Sequence, residues 1–386
     1  MKKTDAVQRA AETVASGQAY SPVQTDAYNQ SYEDWREREG NFFSFPSGSE
    51  QNAHTYIDGI GVQENGPVTR ERKALLNVCL LIAGVVLIYE LVENVLVLPL
   101  MLTFKALGVE VSYSFNDNIA YGNQYAVLCV LLFESLLKHL LPLWLVHRQV
   151  KMPLKTAIPL KIRDGMSTGA AMSALCVGFF LASFLRLFFP MEIFNVNNIG
   201  MTYEVISYMD GWCSTVYLLF ELVISSVLAE LLFHGELFQV LRQFGVSYAV
   251  LLTAFLNTTM LHDPVAFGTA FVTALVAGYG VWQSGSLLTG IGVHILSRVL
   301  SFLLFQSGDF PRLGIASGYV WFIFLVLIIG GGCWCAISLF RRKKRYLHDY
   351  PTNLSMKEKV KTAVFSGPML AAWFLCFLLM MVEIFV

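Results

Sequence analysis

Ser225–Leu241 reads SSVLAELLFHGELFQVL. Two ionisable side chains, Glu230 and His234, stand four residues apart in a run otherwise fit for lipid. In hydrocarbon each such group costs kilocalories unless it is paired or faces a cavity. The run therefore reads as a membrane helix built around a polar centre, and the i,i+4 spacing sets both groups on one helix face.

The rest of the chain agrees with that solvent. Of its 386 residues 55% are hydrophobic and only 14% are charged, against roughly a quarter charged in a soluble domain. Apolar stretches close to the twenty or so residues that cross about 30 Å of hydrocarbon recur along most of its length. They cover Ala74 to Phe104, Ile119 to His147, Met166 to Pro190, Gly211 to Gln243, Ser247 to Leu261, Val265 to Gln283, Ser286 to Gln306, Gly318 to Phe340 and Ala363 to Val386. The fifth is short and is followed by the sixth after a Pro turn, so these two also read as one broken unit. Lipid leaves no partner for an open sheet edge, so all should be helices. The expected fold is an all-α, polytopic integral membrane helical bundle of about eight to nine transmembrane helices. It divides into a cytoplasmic, largely disordered tail at 1–72, two transmembrane helices at 73–165, a membrane core at 166–306 and C-terminal transmembrane helices at 307–386.

The net charge of −1 says little about partners and gives no sign of nucleic-acid binding. Its distribution says more. Arg70, Arg72 and Lys73 precede the first span, Arg148 to Arg163 follow the second, Arg242 closes the fourth, and Arg341 to Arg345 follow the eighth. The excess of Lys and Arg on one side marks that side as the cytoplasm and puts the amino terminus there, the cell membrane being the expected location. All seven cysteines lie within or at the edges of apolar spans, so neither a disulfide framework nor a thiolate metal site follows from their spacing. In the polar tail, Tyr28, Tyr32 and Trp35 fall at helical spacing before Gly40. They read as scattered aromatics or as a short helix lying on the membrane surface or docking a partner.

Several polar residues inside the spans have structural explanations. Glu134 and Lys138 neutralise one another at i,i+4, and Arg186 and Glu236 are near enough to span ends to snorkel. Glu90 and Glu93 have no local cation and need an interhelical partner or a polar lumen. The remaining groups are His234, His262, His294 and Arg298 with Glu230. On a rise of about 1.5 Å per residue, Glu230 lies roughly 18 Å from Arg242, His262 about 22 Å from the start of its span, and His294 and Arg298 about 12 and 18 Å into theirs. A carboxylate and imidazoles sharing one band of depth can activate water, bind a metal or relay protons. The bland alternative is a polar network that only locks helices together.

The order and spacing resemble the CAAX protease and bacteriocin-processing family, also called Abi, of polytopic intramembrane endopeptidases. The family's first motif is a Glu-Glu pair, two residues, an aromatic, then Arg and usually Gly. Here AELLFHG supplies Ala229, Glu230, Leu231, Leu232, Phe233, His234 and Gly235. The second motif, a His one helix later, is matched by His262. The third, a His with Asn four residues on, is matched in SGSLLTGIGVHILSR by His294, with Arg298 in place of Asn. Ala229 stands where the family places the glutamate assigned to activating water, and Thr258 where a phenylalanine is expected.

The resemblance implies a peptidase whose site is rebuilt. Glu230 would orient or deprotonate water with His262 and His294, His234 would add a base or ligand, and Arg298 would donate to the developing oxyanion. Glu230, His234, His262 and His294 are also the candidate ligands for a divalent metal such as zinc, should one be used. The substrate would be a peptide or membrane protein cleaved near the cytoplasmic face. The alternative is an inactive pseudoprotease acting as a scaffold for a client protein, with Arg298 as the counter-charge of Glu230. A transporter would instead require internal repeats and paired broken helices, and no repeat is seen.

Overall fold

The computed structural model describes residues 21–45, 55–57, 61–63, 67–114, 119–188, 209–262, 266–308 and 352–385, with isolated positions 326, 330, 331, 334 and 337. The expected span at 318–340 falls mostly outside the described residues, as do the basic cluster 341–345 and the side chain of Arg186.

Helices occupy the other expected apolar stretches. They are α1 (Asp26–Arg36), α2 (Pro67–Val95), α3 (Val97–Ala106), α4 (Gln124–Val150), the single turn α5 (Leu154–Ala157) and α6 (Gly165–Phe188). Then come α7 (Gly211–Phe244), α8 (Val246–Thr259), α9 (Phe267–Ser284), α10 (Leu287–Gly308), α11 (Met356–Phe365) and α12 (Gly367–Phe385). Among the described residues, strands are confined to two short antiparallel hairpins, β1 (Thr55–Ile57) with β2 (Gly61–Gln63) and β3 (Val111–Ser114) with β4 (Ile119–Gly122).

By length and apolar composition, three of the described helical stretches can cross a bilayer: Val68–Ala106, Gln124–Val150 and Gly211–Phe244. The count becomes four if α11 and α12, bent by 63° at Ser366, form one broken span. An integral membrane protein follows, but the expected eight to nine spans are not confirmed. The apolar parts of α6, α8 and α10 are shorter, 10–17 residues each over their well-described lengths.

Local chemistry sets several of the boundaries. Asn123 caps α4 by accepting from the backbone N–H groups of Tyr125 and Ala126. Ser355 and Glu358 form a reciprocal capping box on α11. At the β4 exit, Gly122 has φ 111°, and a Cβ there would fall 2.9 Å from Val111 Cα, so only glycine closes that hairpin.

Two groups of helices pack around α7. One joins α2, α4 and α12; the other joins α6, α8, α9 and α10. The larger apolar core runs along the C-terminal half of α7, from Val78, Ile82 and Val146 to Leu232, Phe238, Leu256 and Met369. A second core, Ala171, Leu175, Phe179, Ala277, Val293 and Leu300, seals α6 against α9 and α10. Within α7, wide π-helical turns at Phe220–Ser225 and Leu231–Leu237 interrupt the α-helix. Such turns recur at functional sites because they re-aim side chains without ending the helix; here they carry Glu221 and His234.

The expectation of a largely disordered tail does not hold over 21–45. There α1 packs onto the chain itself, with Tyr32 and Trp35 buried. Helices end with carbonyls that have no partner within the helix, and this segment supplies donors to several of them. The Trp35 indole donates to Val150 O at 3.0 Å and Arg38 to Lys151 O at 3.1 Å, at the end of α4. The Tyr28 hydroxyl donates to Thr156 O at 3.0 Å, the Tyr32 hydroxyl to Gln239 O at 2.8 Å, and Gln24 Nε2 to Gly285 O at 2.6 Å. Arg242, counted among the positive-inside charges, is buried with its guanidinium 3.7 Å from the Tyr32 ring centre. Cation–π attraction replaces part of its lost hydration. Burial pushes the Tyr32 phenol up to about 12, against the opposing pull of Arg242.

Candidate functional site

Glu230 sits in the short α-helical stretch between the two π-turns of α7 and is 1% exposed. One carboxylate oxygen, Oε2, lies 2.8 Å from His234 Nδ1, and the other, Oε1, lies 3.0 Å from His294 Nδ1 on α10. An ionised carboxylate only accepts, so each ring presents Nδ1–H to it and leaves Nε2 as its basic nitrogen. His234 Nε2 is buried and has no hydrogen-bond partner among the described residues.

Bare backbone makes room for this arrangement. A Cβ on Gly290, one turn before His294 on α10, would collide with Glu230 Oε2 and come 2.8 Å from Val281 Cγ2. A Cβ on Gly278 of α9 would lie 3.0 Å from His234 Nε2. Small residues let membrane helices approach closely, and these two glycines admit the carboxylate and the imidazole to the seam between α7, α9 and α10.

Arg298 does not pair with Glu230. It reaches back to the first π-turn of α7, donating to Glu221 O at 2.9 Å and to Glu221 Oε2 at 3.1 Å. Glu221 Oε1 in turn accepts from Ser135 Oγ of α4 at 3.0 Å. The Arg298 counter-charge that the scaffold alternative gave Glu230 does not form; the partners of Glu230 are the two imidazoles. The physical reason lies in α7 itself: Glu221 meets the guanidinium with both a carboxylate oxygen and a backbone carbonyl.

His262 belongs to a different centre. Its Nε2 lies 3.0 Å from Glu90 Oε1 and its Nδ1 3.9 Å from Glu93 Oε2, both on α2. Cys376 of α12 donates to the same Glu90 oxygen at 3.7 Å. The interhelical partners anticipated for Glu90 and Glu93 are thus His262 and, for Glu93, Lys138 of α4 at 3.0 Å. Lys138 also reaches Glu134, its i,i+4 neighbour, at 3.4 Å. His262 adopts φ 53°, a left-handed backbone uncommon for a residue with a side chain. Glu236 is corrected as well: it does not snorkel but is buried, 2.8 Å from His147 Nδ1.

The four candidate metal ligands are therefore divided, with His234 and His294 on Glu230 and His262 on Glu90. In the Glu230 centre the Nδ1 atoms face carboxylate oxygens instead of a common point, which does not fit a zinc ion. Among the described residues, the one group of three or more whose ligand atoms converge is Glu90, His262 and Cys376. Sequence reasoning passed over Glu221 and Cys376, whose roles depend on contacts 77 and 286 residues away along the chain.

A family model described as Rce1-like, type II CAAX prenyl endopeptidase Rce1-like, matches residues 211–300, less than half of the chain. No curated protein and no solved structure matches. The matched stretch opens at the first residue of α7 and closes within α10, so it takes in Glu230, His234, His262, His294 and Arg298. This part of the chain, from the start of α7 into α10, is similar to the Rce1-like type II CAAX prenyl endopeptidases.

Proposed function

We propose that the chain is an intramembrane endopeptidase that cleaves a peptide bond of a membrane-associated substrate, near the cytoplasmic face. The observation that carries this reading is the buried Glu230 carboxylate held between two imidazoles inside the stretch that matches the endopeptidase family.

The chemistry runs through the rings. Glu230 fixes the tautomer and orientation of His234 and His294 and stabilises whichever ring becomes charged, as a buried carboxylate does for a catalytic histidine. The freed Nε2 of His234, beside the bare backbone of Gly278, takes the proton of an attacking water. The same ring returns that proton to the leaving amine. Arg298 shares a face of α10 with His294 and is pinned by Glu221, so its positive charge stays beside the carbonyl oxygen as negative charge develops there. In this account the glutamate missing at Ala229 is replaced by a carboxylate–imidazole unit, and no metal takes part.

The family description names a prenyl endopeptidase, so the first substrate to try is a fluorogenic peptide ending in a prenylated cysteine motif. The full chain, reconstituted in phospholipid, is expected to cleave it, and His234→Ala is expected to lower the rate by about 10²- to 10⁴-fold, the usual worth of a general base. Binding of the peptide without turnover, in protein that remains folded and monodisperse, would replace this reading with the scaffold alternative.

A further inference from the structure

The Glu90, His262 and Cys376 side chains take no part in the proposed hydrolysis, yet they bring together three different ligand types on three elements. Glu90 comes from α2, His262 from the turn that follows α8, and Cys376 from α12. All three are buried, at 2%, 8% and 3% exposure. We propose that they form a structural zinc site that ties the C-terminal helix to α2 and to the end of α8. The inference rests on this geometry alone and is independent of the peptidase reading.

Donor chemistry is the first argument. Thiolate, imidazole and carboxylate are the protein ligands of zinc, and these three residues would fill three corners of its tetrahedron. Spacing is the second. With zinc bonds of about 2.0 Å to oxygen, 2.05 Å to nitrogen and 2.3 Å to sulfur, tetrahedral angles set O···N at about 3.3 Å and O···S at about 3.5 Å. The observed separations are 3.0 Å from Glu90 Oε1 to His262 Nε2 and 3.7 Å from Glu90 Oε1 to Cys376 Sγ. All three ligand atoms lie within 4.8 Å of one another.

Charge is the third argument. A Zn²⁺ ion with one carboxylate, one thiolate and one neutral imidazole is neutral overall, which suits a centre among apolar helices. If the metal-free site is neutral too, two protons leave for each zinc bound, one from the Cys376 thiol and one from the Glu90–His262 pair. The surroundings supply the fourth argument. Glu93 Oε2 faces His262 Nδ1 at 3.9 Å while Lys138 anchors its other oxygen at 3.0 Å. A carboxylate behind a ligating imidazole is the usual device for orienting the ring. His262 also holds a left-handed backbone, the kind of local strain that recurs at functional sites.

The test uses the full chain purified in lipid nanodiscs, stripped with chelator and reloaded with zinc chloride or cobalt chloride. Elemental analysis is expected to find about one zinc per chain, and the cobalt form is expected to show thiolate-to-metal charge-transfer absorption. Cys376→Ser should abolish that absorption, and Glu93→Gln should weaken zinc binding by about 10- to 100-fold. Should Cys376→Ser fail to fold, the wild-type cobalt spectrum stands as an independent reading. Folded wild-type protein that takes up no metal, or a thiolate band that survives in Cys376→Ser, overturns the proposal. Cleavage of peptide is a separate readout, and its presence or absence leaves the metal result standing.

Discussion

The Glu230 and Glu90 centres use the same materials in different ways. Each holds a buried glutamate against imidazole within 3.0 Å. At Glu230 the carboxylate lies between two rings, its two oxygens facing opposite partners, and glycines on α9 and α10 keep the seam thin. At Glu90 a single oxygen gathers an imidazole and a thiol, and a second carboxylate stands behind the ring. One arrangement leaves a basic nitrogen unoccupied; the other focuses donors on a point. The same residue types thus suit proton transfer where lone pairs diverge and metal binding where they converge.

Substitutions that act on one centre and spare the other break or sharpen this contrast. The largest effect is expected from Glu230→Gln, which keeps the shape but loses the charge that orients two rings. Peptide cleavage should fall by about 10²- to 10⁴-fold, while zinc content stays unchanged; parallel loss of both would show the centres to be one. Arg298→Ala comes next. It strands Glu221, whose side chain is only 10% exposed, and breaking a buried ion pair commonly destabilises by about 3–5 kcal/mol. Thermal or denaturant unfolding in detergent measures this, and an effect below about 1 kcal/mol, the level of an exposed pair, would mean that water reaches the pair freely.

Gly290→Ala puts a methyl group against Glu230 Oε2 and 2.8 Å from Val281 Cγ2. Overpacking of this kind costs about 1–3 kcal/mol, and the displaced carboxylate should slow cleavage with no change in metal content. Wild-type activity in Gly290→Ala would remove the claim that bare backbone shapes the site.

The smallest effect concerns residues 21–45, which cap helix ends and, among the described residues, touch neither centre. Tyr32→Phe removes the bond to Gln239 O and should destabilise by about 0.5–1.5 kcal/mol. Its pH signature has a definite sign. The docked phenol titrates near 12 and the free one near 10, so docking is undiminished below about pH 10 and weakens as the pH rises from 10 toward 12, where the undocked form ionises first. In an alkaline titration followed by tyrosinate absorption, Tyr32→Phe should remove one of the late-titrating phenols.

Much of this was legible in residue order. The apolar stretches located the helices, because burial in lipid imposes a helical backbone and a minimum length on any segment that crosses it. The Glu230–His234 contact followed from i,i+4 spacing, which survives tertiary context because both groups ride on one helix. The need of Glu90 and Glu93 for partners from other helices was visible from the absence of a local cation. The resemblance to the CAAX protease family rested on letters that the family match over 211–300 also covers.

What residue order left open was azimuth. A rise of about 1.5 Å per residue places Glu230, His262, His294 and Arg298 at similar depths, but depth is one coordinate, and the direction each helix faces is set by packing against its neighbours. That rotation sends Arg298 to Glu221 and His262 to Glu90 and Cys376. It also decides the fate of α1, whose aromatic stripe fits a membrane surface as well as a protein groove until the carbonyl ends of α4 and α7 and the buried Arg242 guanidinium supply partners. By itself the sequence determined the solvent, the helices and one intrahelical pair, since those follow from local hydrophobicity and period. Only the tertiary structure decided which polar groups meet across helices, because that depends on how whole faces rotate to bury their apolar surface.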